Sequence, residues 1–134
     1  MKKLLFLALI VTLLLVTSLG FAQKKQTIVM VVKLEGVAWF DNMRLGIEAF
    51  AKDYPDVDAY QTGAENADPA AQVKIIEDLI AKGVNAILAV PNDPASLVPA
   101  FKRANNAKIF TLTHEASVQQ QVSYDVEAFD NIAY

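Results

Sequence analysis

Residues 68–93 read DPAAQVKIIEDLIAKGVNAILAVPND. Asp68 followed by Pro69 is a helix start. The acidic side chain can accept from the free N–H groups of the first turn, and proline at the first helical position has no N–H to lose. Val73, Ile76, Leu79 and Ile80 recur at spacings of three and four and make one apolar stripe. Gly83 stands where a left-handed residue ends a helix. Ala86 to Val90, AILAV, is a continuous apolar run, the pattern of a strand buried on both faces. A capped helix running straight into such a strand is half of a parallel α/β repeat.

The same alternation extends in both directions. Upstream, Thr27 to Val32 reads TIVMVV, a β-branched strand, and Gly36 marks the turn after it. A helix is expected from Ala38 to Tyr54, with Phe40, Met43, Ile47, Phe50 and Tyr54 on its apolar face. Arg44/Glu48 and Glu48/Lys52 have helix-pair spacing on the other face, and Pro55 stops the helix. Val57 to Tyr60 reads as a short second strand, and Thr62 to Asp68 as a polar turn. Downstream, Pro91 to Pro94 is a loop, and a helix covers Ala95 to Asn105 with Pro99 placed near its start. Lys108 to Leu112 is a fourth strand, and Gln119 to Ser123 an edge-like fifth. Right-handed crossovers then give an α/β fold: a three-layer parallel sheet with helices on both faces. In such sheets ligands bind outside the carboxyl ends of the strands.

The first 22 residues have the make-up of a cleaved leader. Lys2 and Lys3 supply the positive charge, Leu4 to Val16 is apolar, and Gly20 and Ala22 fit the small-residue positions of a cleavage site. The expected division is a signal peptide over 1–22 and one domain over 23–134, exported to the periplasm. No Cys occurs, so neither a lipid-acylated product nor a disulfide is available. The whole chain carries 12 Lys+Arg against 15 Asp+Glu, and Lys2 and Lys3 leave with the leader. An acidic remainder with no basic cluster argues against nucleic acid as a partner.

The strand ends select the candidate site residues. Lys33 follows the first strand and could donate a charge-assisted hydrogen bond. Trp39 and Phe40 could stack on a sugar ring, although successive helical residues point about 100° apart and only Phe40 fits the buried stripe. Asn92 and Asp93 offer an amide and a carboxylate to hydroxyls. Asp93 precedes Pro94, so helix capping is its favoured role. Thr113 and His114 follow the fourth strand, with Glu115 beside them, and Asp125 follows the fifth. No metal site is expected from one histidine and no cysteine, and no cofactor from glycines that never form GxGxxG. Ser96 and Ser123 lack a nucleophile-elbow setting.

Three blocks together, KLEGVAWF (33–40), AQVKIIEDLIAKGVNAI (71–87) and VPNDPASLVPAFKRA (90–104), resemble the type I periplasmic sugar-binding proteins. The resemblance covers about residues 27–125 and is closest in look to the autoinducer-2, rhamnose and ribose receptors of ABC transporters. It implies the first of two lobes, a small sugar or autoinducer-like solute bound between them, and delivery to an ABC permease of the inner membrane. It places Lys33 on the lysine that autoinducer-2 receptors use, and Trp39 and Phe40 on the aromatic pair of pentose receptors. Thr113 stands where relatives place a ligand-binding aspartate, and His114 where ribose-type receptors place an arginine. The second lobe of such a receptor is missing from this sequence.

Three functions follow as competing expectations. The first is a non-catalytic solute-binding component. The second is an interaction module or an inactive one-lobe fragment, which an exposed apolar surface would favour. The third and weakest is a sugar-acting enzyme, for which Glu35, Asp93, His114 and Asp125 form no recognisable acid/base pair.

Overall fold

The structure, a computed structural model, describes residues 25–116 and 122–125. The proposed leader therefore lies outside the described residues, as do 117–121 and 126–134. Eight elements follow in order: β1 (Gln26–Val32), α1 (Ala38–Asp53), β2 (Val57–Gly63), α2 (Pro69–Lys82), β3 (Ala86–Ala89), α3 (Pro94–Asn106), β4 (Phe110–Thr113) and β5 (Tyr124–Asp125). The strands form one sheet in the order β2-β1-β3-β4-β5, and every pair is parallel.

Strand β1 is covered on both sides because its alternate residues enter two different cores. Val29 and Val31 face α2 and α3, where Ile76, Leu79, Leu97 and Phe101 are buried with Ile87. Met30 and Val32 face α1 and pack with Phe40 and Val90, flanked by Met43, Ile47 and Leu88. This period of two in a strand with no exposed face explains the uninterrupted apolar run.

Local signals set the helix ends. Asp68 caps α2 by accepting from the Ala70 N–H at 2.8 Å. Gly83 closes it at φ 68°, with its own N–H turned back to the Leu79 and Ile80 carbonyls. Asp93 caps α3 by accepting from Ala95 and Ser96. α1 has Val37 at its N-cap position and no side-chain cap.

Three expectations need correction. β2 runs on to Gly63, because Gln61, Thr62 and Gly63 continue the ladder beside Met30, Val31 and Val32. A backbone ladder does not need apolar side chains, so the polar run concealed the strand. Pro99 lies inside α3 rather than near its start. The Asp93–Pro94 start is the stronger signal, and buried Leu97, Ala100, Phe101 and Ala104 anchor the helix around the proline. The described fifth strand is Tyr124–Asp125, paired with Leu112 and Thr113, while the strand expected over 119–123 falls mostly outside the described residues. Finally, Arg44 turns away from Glu48 and pairs with Glu35.

Candidate functional site

The chain leaves β1 toward β2 on one side of the sheet and returns to β3 on the other. The carboxyl ends of β1 and β3 therefore flank the crevice at which an open parallel sheet takes its ligand. Here the two ends are held by Gln72 of α2. Its Nε2 donates to the carbonyls of Val32 (3.2 Å) and Val90 (2.8 Å), and its Oε1 accepts from the Asn92 N–H (2.8 Å). Gln72 is 1% exposed, so these bonds form away from water.

The rim is built on that anchor. Asn92 Nδ2 donates to the Lys33 carbonyl at 2.8 Å, which joins the loop after β3 to the loop after β1. The His114 N–H donates to the Ala89 carbonyl at 2.9 Å, which brings up the chain after β4. Lys33 Nζ meets Glu115 Oε2 at 2.6 Å, both side chains being half-buried. Three loops are thus joined by an amide, an ammonium and a carboxylate, the donor and acceptor types that recognise hydroxyl groups.

The sequence-predicted residues divide accordingly. Lys33, Asn92 and His114 come together on this rim. Trp39 lies in the first turn of α1 and is 43% exposed. Phe40 does not join it, because its ring is 5% exposed and packed with Met30, Val32 and Val90. Asp93 caps α3, the role its sequence setting favoured. Thr113 is buried, and its Oγ1 donates to the Tyr124 carbonyl at 3.3 Å, joining β5 to β4. Asp125 ends β5.

Two residues outside that set belong to the arrangement. Glu115 was passed over because its neighbours Thr113 and His114 occupied the expected positions. Gln72 carried a positional signal, since it lies four residues before Ile76 on the buried stripe, but its polar side chain kept it out of an apolar pattern. Next to the rim, Arg44 bonds Glu35 and reaches the Gln61 carbonyl at 3.4 Å, linking α1 to the end of β2. Among the described residues no three His, Asp or Glu side chains gather as a metal site.

Known proteins resemble this chain in sequence and fold. The family described as "Periplasmic binding protein domain" matches residues 28–134. The D-ribose/D-allose-binding protein of Pseudomonas aeruginosa is 30% identical over 101 residues, 74% of this chain and 32% of its own length. A ribose import binding protein of Bacillus subtilis is 30% identical over 82% of this chain and 35% of its own length. Among solved structures, LsrB of Clostridium saccharobutylicum in complex with AI-2 superposes with a TM-score of 0.71 at 27% identity, over 75% of this chain and 31% of that one. A periplasmic solute binding protein of Actinobacillus succinogenes with bound D-allose gives 0.67 at 30% identity, over 76% and 38%. The chain spans about a third of the length of these relatives. With the parallel sheet and the match over 28–134 together, the chain belongs to the periplasmic binding protein domain family.

Proposed function

We propose that this chain is the first lobe of a non-catalytic solute-binding component of an ABC importer. It binds a sugar or an autoinducer-2-like small polyol and presents it to the inner-membrane permease. The single observation that carries the reading is the rim at the β1/β3 crevice, where Gln72, Asn92, Lys33 and Glu115 join three loops. The relatives that bind ribose, allose and AI-2 support the ligand class. In this reading residues 1–22 direct export to the periplasm and are removed, and 23–134 form the lobe. A second lobe closes over the solute and excludes water from its hydrogen bonds.

Trp39 is the only tryptophan in the chain. Its emission therefore reports on the first turn of α1, the helix that follows the Lys33 loop. Titrating the exported protein with D-ribose, D-allose and AI-2 is expected to change that emission saturably with at least one of them. Emission unchanged by all three, to tens of millimolar, contradicts the proposal.

A second reading has its own observation. On the α1 side of the sheet, Ile28, Leu88, Leu112, Phe110, Ile47 and Phe50 line a wholly apolar hollow of about 350 Å³. An interaction module would use such a face. The two readings are compatible, because the remainder of a two-lobed receptor also needs an apolar seat.

A further inference from the structure

We infer that Glu115 is a specificity-determining residue of the crevice, selecting uncharged polyols over anionic solutes by occupying Lys33. This rests on the solute-binding reading above and adds a rule about the charge of the ligand.

The geometry assigns the role. Lys33 follows β1 and Glu115 follows β4, with β3 between them, so their ion pair crosses the carboxyl end of β3. The Lys33 backbone is held by Asn92, and the Glu115 carboxylate takes the ammonium at 2.6 Å. The two side chains are 32% and 29% exposed, so salt and water screen the pair less than a surface pair. Glu115 also adopts φ 60°, a left-handed conformation that a glutamate rarely takes. Such strain gathers at ligand-holding positions, where neighbouring contacts fix it. Here the Lys33 bond is one such contact, and His114 Nε2 stands 3.9 Å from the other carboxylate oxygen.

The chemical consequence is direct. An unpaired lysine at the end of β1 attracts carboxylates and phosphates. A lysine already neutralised presents an ammonium donor and a carboxylate acceptor side by side. A pair of adjacent sugar hydroxyls satisfies both at once, since each hydroxyl can donate and accept. An anion must either displace Glu115 or sit against its charge, and like charges a few ångströms apart at a half-buried site repel by enough to weaken binding roughly tenfold or more.

The test compares D-allose with its uronate, in which only the C6 hydroxymethyl becomes a carboxylate, and D-ribose with D-ribose 5-phosphate. Both pairs are titrated by Trp39 emission into the wild-type chain, E115Q, and E115N, whose asparagine tolerates the left-handed backbone. Circular dichroism checks the fold of each variant. The wild type is expected to prefer the neutral member by about tenfold or more, and the variants to lose that preference mainly by gaining affinity for the anion. A neutral-to-anion ratio unchanged in both variants overturns the role of Glu115 and leaves the solute-binding reading intact. A wild-type chain that prefers the anions also overturns it. A wild-type chain that binds no member of either pair overturns the charge rule, and one that binds no AI-2 either also removes the solute-binding reading.

Discussion

The carboxamide of Gln72 touches two strand carbonyls and one loop N–H from a position almost sealed from water. Replacing it with leucine keeps the volume and leaves those three backbone groups without their partner. Each buried group left unpaired costs about 1–3 kcal/mol. Q72L is therefore expected to lower unfolding free energy by at least about 2 kcal/mol in urea titrations, and to loosen the rim. A loss below about 0.5 kcal/mol would show that water replaces the amide. Trp39 behaves differently, since its ring is substantially exposed and supports no core. W39A should change stability by no more than about 0.5 kcal/mol and weaken solute binding several-fold, read by calorimetric titration. At this scale the sequence was legible where type and position agreed. Lys33, Asn92 and the capping Asp93 stand at strand ends with matching chemistry. Phe40 was ambiguous because one residue served both an apolar stripe and an aromatic pair, and packing against Met30 and Val32 decided between them.

Helix α3 shows how elements tolerate a locally poor residue. Pro99 interrupts it five residues after Pro94, where the ring conflicts with the carbonyl four residues earlier. The fully buried Leu97, Ala100, Phe101 and Ala104 hold the helix against the sheet in spite of that conflict. P99A should raise stability by roughly 1–3 kcal/mol, the interior penalty of proline less its stiffening of the unfolded chain. An unchanged or lower thermal midpoint would mean the proline ring itself is needed for packing. At the other end, D93A removes two accepted N–H bonds and is expected to cost about 1 kcal/mol. The elements that read clearly from sequence were those with an apolar period and a cap, such as α2 between Asp68 and Gly83. β2 was read three residues short because its last residues are polar and its pairing with β1 is made by backbone alone. β5 consists of two residues tied by the Thr113 hydroxyl, too short to leave any period in the sequence.

At the scale of the molecule, the described residues cover the two faces of the sheet unequally. α2 and α3 lie on one face, while on the other α1 packs near β1 and β2. Beyond α1, Phe110 is half-exposed and stacks on the exposed Tyr124 with ring centres 5.2 Å apart. Together with the apolar hollow beside them, these rings form a surface that water covers poorly. A solvatochromic apolar dye should bind there, and F110S should reduce its fluorescence severalfold with little change in thermal midpoint. Equal dye fluorescence in wild type and variant would place the dye elsewhere. The parallel sheet with helices on both faces was legible from the strand–helix alternation. What covers the open face depends on contacts that no local pattern in these residues encodes.

The central claim is that solute binds at the rim between β1 and β3. The most direct measurement is a residue-resolved NMR titration of the chain with D-ribose, D-allose and AI-2. The account predicts the largest amide shifts at Lys33, Asn92, His114 and Glu115. Shifts confined to the opposite end of the sheet, around Asn105 and Phe110, or no shift with any of the three, would contradict it.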